Sequence, residues 1–462
     1  MAAAFLAFLL AASVARAGTI RADRTDSQYT ALAAPSAYAS VGKFLWTESA
    51  GQYLASGTLI NDQWVLTAAH VVSDITSSNI GTMTFTLGGT TYSVAATYYN
   101  SNWTGSTNSG YDIGLVKLST PVTNVAPAYL YGGTDEKTQV TTIVGYGTTG
   151  TGLTGATQSA GTKRAGTNVI ALGSALNSIY WSGGGNDTMV VADFDTPGTT
   201  GDPTTNLAVA TDLEYCAAPG DSGGAWFVTK NSQAYVAGVT SFLVSKPGNS
   251  QYAMYGDLCG ATRVSSYLSW IGQYTTYHTA PGALTVKAFF DTSLNGVYAT
   301  NDTFLSGRQV TVTGPYGFSQ TLTTDASGQI SLTGLQPGTY TITQALSAGW
   351  QATTGASVTV TVTNGGTLTT WIGSILPGDA NQDGEVGPED FGVLKDNFGL
   401  DGLVNRWGQG DFNGDGEVGP EDFGLLKDNF GTDTAPLTNV PEPRQLVLLG
   451  IGYIAACLGR RR

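Results

Sequence analysis

Between residues 40 and 271, short β-prone runs alternate with turns rich in Gly, Asn, Asp and Ser. Gln63–Thr67, Thr141–Val144 and Ala234–Val239 are three such runs. Strand-length apolar segments cut at close intervals by turn residues cannot extend into long helices. They are the pattern of an all-β barrel or sandwich. A single amphipathic helix, Ser265–Tyr274, closes the segment, and Tyr277–Gly282 reads as a linker. Only 12% of the 462 residues are charged and 62 are glycine, which suits β structure with many turns. The formal net charge of −14 argues against nucleic acid as a partner.

The two ends carry addressing signals. Met1 to Val14 is apolar, and Ala15-Arg16-Ala17 fits the small-x-small rule of signal peptidase. Residues 1–17 are therefore expected to be a signal peptide, with a mature start near Gly18 and an N-terminal extension over 18–39. At the other end Val440-Pro-Glu-Pro443 leads into the apolar run Gln445–Gly459 and then Arg460-Arg461-Arg462. This order resembles the PEP-CTERM sorting signal, which implies removal of residues 440–462 by an exosortase after export. The positive-inside rule places the Arg cluster in the cytoplasm. The other reading of the apolar helix is a retained transmembrane anchor. Both make the protein secreted or cell-surface. Cys457 belongs to the tail, so Cys216 and Cys259 are the candidates for a disulfide in an exported chain.

A second β unit spans 284–375. Leu284–Phe290, Gln309–Thr313, Tyr340–Gln344 and Ser357–Thr363 alternate polar and apolar residues as half-buried strands do. Gly334-Leu-Gln-Pro-Gly-Thr-Tyr340, followed by Gly349-Trp350, resembles the SdrD-B/prealbumin-like modules of bacterial surface proteins. The resemblance implies a small immunoglobulin-like β-sandwich of spacer or docking character.

Residues 376–433 contain a repeat: Gly378–Gly399 recurs almost unchanged as Gly410–Gly431. Oxygen-bearing side chains fall at loop positions 1, 3, 5 and 12. They are Asp379, Asn381, Asp383 and Asp390 in the first copy, and Asp411, Asn413, Asp415 and Asp422 in the second. Gly384 and Gly416 allow the sharp bend, and Glu385 and Glu417 offer a backbone carbonyl at position 7. Such flexible oxygen coordination suits Ca²⁺ better than Mg²⁺. An Asp stands where an EF-hand ends in Glu, and one helix follows each loop (Phe391–Phe398, Phe423–Phe430). Both features resemble dockerin modules, implying a small α module that folds on calcium and docks a cohesin-like partner.

The chemistry centres on Ser222 in Gly220-Asp-Ser-Gly-Gly224. A serine hydroxyl needs a base to become a nucleophile. The chain has two histidines, and His278 lies at the linker, which leaves His70 at the end of the apolar run Ser56–His70. Asp112 opens the apolar strand Tyr111–Leu118, where an unpaired carboxylate would be costly and an imidazole N–H would supply a partner. These segments, with Gly238–Phe242 and Thr262-Arg-Val264, resemble the trypsin/chymotrypsin family over roughly Val41 to Ile271. The resemblance implies two six-stranded barrels over 40–276, with 277–283 as the linker. It makes Ser222 the nucleophile, His70 the acid–base and Asp112 its orienting carboxylate, and it calls for no catalytic cofactor. The N–H groups of Gly220 and Ser222 would form the oxyanion hole.

Two departures stand out. No Ile-Val-Gly-Gly-like start exists for tying a freed N-terminus to Asp221, so activation by that cut is not expected and Asp221 would pair internally. Cys216 replaces the pocket-base Asp of trypsin. The resemblance thus implies a substrate pocket formed by Cys216, Ser241, Leu243 and Cys259, floored by a Cys216–Cys259 disulfide and suited to small aliphatic residues. The expected function is a secreted or cell-surface serine endopeptidase acting on proteins or peptides. The alternative is a catalytically inactive surface binding protein that uses the same fold as a scaffold.

Overall fold

The computed structural model describes residues 18–48, 51–179, 184–198, 207, 209–402 and 407–432. The signal-peptide assignment and the tail from 440 onward lie outside the described residues. No described helix is long and apolar enough to cross a membrane.

The chain opens with strand β1 (Gly18–Ile20) and helix α1 (Asp26–Ala33), then enters a closed six-stranded barrel. Its strands are β2 (Val41–Glu48), β3 (Gly51–Asn61), β4 (Trp64–Thr67), β5 (Thr84–Leu87), β6 (Thr90–Tyr99) and β7 (Gly114–Leu118). They pair in the order β2-β3-β4-β7-β6-β5. Phe44, Leu59, Val65, Phe85, Leu115 and Val116 are fully buried within it. A barrel this small closes only where some positions carry no side chain. Gly42 and Gly57 are register partners on β2 and β3. A Cβ on Gly57 would meet the Phe44 ring at 2.4 Å, and one on Gly42 would meet Phe85 at 2.5 Å.

The next segment supplies β8 (Tyr129–Leu130), β9 (Val140–Gly145), β10 (Thr149–Thr151), β11 (Gly155–Gln158), β12 (Arg164–Val169), β13 (Ala171–Leu172) and β14 (Met189–Asp193). It continues with β15 (Tyr215–Cys216), β16 (Ala225–Lys230), β17 (Gln233–Val244) and β18 (Leu258–Arg263). An eight-stranded sheet runs β12-β9-β16-β17-β18-β14-β13, with β8 parallel to β17. Its far ends approach each other. Asn168 on β12 donates from Nδ2 to the carbonyl of Asp193 on β14 (2.6 Å) and to that of Tyr215 (3.2 Å). A smaller sheet, β11-β10-β1-β15, lies alongside.

The expected helix over 265–274 is shorter than its periodicity suggests. A 3₁₀ turn, Val264–Tyr267, precedes the single-turn helix Leu268–Ile271. Packing overrides helix propagation here. The Tyr274 ring packs at a tilt on Trp64 and Tyr98 and edge-on to Trp270, which fixes the segment on the first barrel. The expected linker is also tied down: Leu130 N–H donates to the His278 carbonyl, and Thr279 and Ala280 N–H groups donate to Asn364 Oδ1.

Residues 282–375 form a five-stranded and a four-stranded sheet over one core that includes Leu284, Val286, Val310, Val312, Tyr340 and Ile342. The Leu335–Tyr340 turn meets the N-terminal unit. Tyr129 donates its hydroxyl to the Leu335 carbonyl, and Gln336 donates to that of Pro127. After each acidic loop comes one ten-residue helix, Pro388–Asn397 and Pro420–Asn429. Both begin three residues before the expected start, because proline suits the first helical position and the loop aspartate accepts the preceding N–H. Gly387 and Gly419 donate to Asp390 and Asp422 at 2.8 and 2.9 Å. Phe290, Trp350 and Leu376 share a core with Val386, Leu394, Trp407, Phe412, Val418 and Leu426, so the loop–helix pair is mounted on the sheets.

Gly57→Ala forces a methyl into the Phe44 ring. We expect it to lower stability by about 1–3 kcal/mol, the usual cost of overpacking, read as a lower urea midpoint by tryptophan fluorescence.

Candidate active site

Strand register brings His70 and Asp112 together. β4 pairs with β7, with Thr67 opposite Gly114, so the residues just beyond these paired ends are neighbours. His70 sits in the one-turn helix α2 (Ala69–Val72), and Asp112 lies two residues before β7. Asp112 Oδ2 is 2.7 Å from His70 Nδ1, and Oδ1 accepts the His70 backbone N–H at 2.9 Å. The carboxylate is completely buried. Ser241 from β17 gives Oδ2 a further hydrogen bond (2.5 Å), and Thr262 from β18 donates to the Asp112 carbonyl (2.7 Å). Both imidazole placement and carboxylate solvation are thereby fixed from two separate sheets.

Ser222 lies on the turn between β15 and β16. Positive φ at Gly220 (96°) and Gly223 (81°) requires glycine, and a Cβ on Gly223 would fall 2.0 Å from Thr67 Oγ1. The turn is stitched to the first barrel through Ser56. That residue donates its N–H to the Ser222 carbonyl (2.8 Å) and its hydroxyl to the Gly220 carbonyl (3.0 Å). Gly223 N–H donates to Thr240. Among the described residues, the N–H groups of Gly220 and Ser222 donate to no other protein atom. His70 and Ser222 line one cleft of about 860 Å³, with Trp46, Trp103, Ser241 and Leu243.

Asp221 is fully buried and does pair internally. It accepts from Gly147 N–H (2.8 Å), Ala218 N–H (2.9 Å) and the Tyr215 hydroxyl (3.1 Å). Burial pushes its carboxyl up to about 6.

The trypsin family model matches residues 41–271, half of the chain. The chain belongs to the trypsin family. Among solved structures, "HL collagenase structure at 1.7 Å resolution" is similar at 20% identity, covering 53% of this chain and 94% of that one with a TM-score of 0.39.

Around the trypsin-family site, the pocket residues divide. Ser241 and Leu243 line the cleft, whereas Cys216 and Cys259 are buried behind it. The expected Cys216–Cys259 disulfide is not formed, and both thiols are free. Burial, with the neighbouring Cys259 thiol as a further cause, holds the Cys216 thiol far above its ordinary range, which suppresses the thiolate needed for exchange. Ser241 is both a cleft residue and a partner of Asp112, a role that the sequence pattern does not mark. Ser56 and Thr262 fall within the family-like segments and Tyr215 lies just before the Ser222 turn, but nothing in the sequence marks their hydrogen-bonding roles.

In the second acidic loop, Asp411, Asp415 and Asp422 place carboxylate oxygens within 4.8 Å of one another. In the first, Asp379 accepts from Asp383 and Gly384 N–H groups, and Asp390 accepts from Ala380, Asn381 and Gly387. Asn381 and Asn413 donate to Asp383 and Asp415 at 2.8 Å each. Glu385 and Glu417 have exposed side chains, consistent with service through the backbone. Asp379, Asp390, Asp411 and Asp422 are buried, and among the described residues no Lys or Arg forms an ion pair with them. Buried oxygen donors with no Lys or Arg in ion-pair contact among the described residues fit a hard divalent ion.

Ser241→Ala removes one of the hydrogen bonds to a buried carboxylate. A charge-assisted bond of roughly 1.5–3 kcal/mol corresponds to about a ten- to hundredfold slower reaction of Ser222 with a fluorophosphonate probe. A rate within twofold of the parent would show that the bond does not matter.

Proposed function

We propose that this chain is an exported serine endopeptidase that hydrolyses peptide bonds through His70, Asp112 and Ser222. The observation that carries this reading is the 2.7 Å His70 Nδ1–Asp112 Oδ2 contact in a cleft shared with Ser222. With Nδ1–H held by the carboxylate, the other ring nitrogen is the basic one. It takes the Ser222 proton as Oγ attacks the substrate carbonyl, and then delivers that proton to the leaving amine. Asp112 stabilises the imidazolium formed in between. The Gly220 and Ser222 N–H groups, which no other described group claims, receive the developing oxyanion. Water then releases the acyl group by the same proton relay in reverse.

Buried free thiols behind the cleft and Leu243 on its wall support acceptance of small apolar residues. A chromogenic panel would overturn that preference by favouring Arg. The decisive test of the function is labelling by a fluorophosphonate probe. The parent protein is expected to label and Ser222→Ala, folded by circular dichroism, is not. A parent that is folded yet never labels would instead indicate a surface binding protein.

The loop–helix repeat is assigned to Ca²⁺, held by Asp379, Asn381, Asp383, Glu385 and Asp390 and by Asp411, Asn413, Asp415, Glu417 and Asp422. The ion would order the two loops and leave a docking face for a cohesin-like partner. The 284–375 unit serves as an immunoglobulin-like spacer, and the 440–462 tail as a sorting signal processed by an exosortase or kept as an anchor. Burial pushes the Asp379 carboxyl up to about 6. Ca²⁺ binds the ionised form, so affinity is expected to rise as pH increases through 6 and to fall below it. Calorimetric titration of the intact protein at pH 5 and 7.5 checks this, and equal affinities would contradict it.

A further inference from the structure

The cleft that holds His70 and Ser222 has two chemically different sides. The lining residues that follow β8, from Thr148 to Gln251, carry no formal charge. Ser241 and Leu243 are among them. The side supplied by the closed barrel and its connections contains two carboxylates, Glu48 at the end of β2 and Asp74 just beyond α2. No Lys or Arg lines the cleft on either side. Glu48 is half-buried and Asp74 exposed, and among the described residues neither forms an ion pair with Lys or Arg. The formal charge facing a substrate here is therefore negative and confined to the barrel side.

That side is also shaped for a long side chain. Alternation along β2 puts Phe44, Trp46 and Glu48 on one face, which passes from the barrel core at Phe44 to the cleft at Trp46 and Glu48. Trp46 is the register partner of Tyr53 on β3, and their rings stack with centroids 5.4 Å apart and 19° between planes. Trp46 Nε1 donates to Glu48 Oε1 at 2.8 Å, which fixes the carboxylate beside the stacked pair. An aromatic wall with a carboxylate fixed next to it suits Lys or Arg, whose apolar stem lies along the rings while the charged end finds its partner.

The direction of the substrate follows from the proton relay. His70 delivers its proton to the leaving amine, so the released segment lies on the His70 side of Ser222. Asp74 follows His70 by four residues, immediately beyond Ser73, the C-cap of α2. We propose that Glu48 and Asp74, with the Trp46–Tyr53 stack, form a cation-selective subsite for the leaving segment, so that the preferred bond is followed by Lys or Arg at its first or second position. The two carboxylates draw in a basic peptide and repel an acidic one. The selecting charge acts after the scissile bond, on the opposite side of the cut from the small apolar pocket. The inference rests on the proposed hydrolytic role of Ser222.

The test measures kcat/KM of the full protein on internally quenched peptides of one sequence. Each has Ala before the scissile bond and Lys, Ala or Glu at both positions after it, with the cut located by mass spectrometry. The Lys peptide is expected to be cleaved roughly five- to thirtyfold faster than the Glu peptide, with the Ala peptide between them, as two partly solvated carboxylates would give. Glu48→Gln combined with Asp74→Asn, folded by circular dichroism, is expected to bring the three rates within about twofold of one another. In the unaltered protein, salt at about 1 M, where the screening length is about 3 Å, is expected to compress the same ratio. Equal rates in the parent, or a Lys preference that survives both the double substitution and high salt, would overturn the inference and leave the hydrolytic role standing. A folded parent that cuts none of the peptides and leaves a fluorophosphonate unreacted would overturn both.

Discussion

The buried carboxylate of Asp112 is the point at which the two halves of the N-terminal unit become one machine. It lies at zero exposure and is held by the His70 backbone, the His70 ring and the Ser241 hydroxyl. The first two come from the closed barrel and the third from the eight-stranded sheet. Burial makes this arrangement stringent, since a carboxylate in such a site cannot fall back on water if one donor is misplaced. A one-residue slip between β4 and β7 would turn the Asp112 side chain to the other face of its strand and undo the contact. The glycine pair Gly42 and Gly57 matters for the same reason: it lets the barrel close tightly enough for those strand ends to meet.

A second seam runs through Ser56. Its N–H and hydroxyl hold the carbonyls of Ser222 and Gly220, while its oxygen also accepts from Tyr146 N–H at 2.9 Å. The turn bearing Ser222 is therefore shaped from the barrel opposite to the unit that carries it. Turning those carbonyls toward Ser56 leaves the Gly220 and Ser222 N–H groups available to a ligand. Asp221, on the same turn, faces inward toward Tyr215 and the buried strand β1. Ser222, the two unengaged N–H groups and the buried Asp221 carboxylate thus share one short piece of backbone.

The C-terminal units are mounted on this framework by packed contacts. Tyr129 and Gln336 join the second unit to the first, and the core around Trp350, Leu376 and Trp407 joins the third to the second. Arg308 lies 3.3 Å above the Trp350 ring, closing that core against solvent. In the loop–helix repeat the exposed faces are duplicated: Phe391 and Phe423, and Phe398 and Phe430, are matched in exposure. An arrangement of this kind presents its exterior from a fixed base.

Residue chemistry and order along the chain determined much of this protein. Two histidines, one glycine-bracketed serine and one carboxylate opening an apolar strand narrowed the site to His70, Asp112 and Ser222, and the repeated oxygen spacing marked both acidic loops. Strand positions were legible from alternation, because period-two burial is a local property. Tertiary structure alone decided that Ser241 bonds Asp112, that Cys216 and Cys259 remain thiols, that the segment after Val264 stops short as a helix, and that Gly18 rests on Tyr215. Each of these depends on side chains separated by long stretches of sequence. Their meeting is set by strand register and by how the sheets close on one another, which no local pattern encodes.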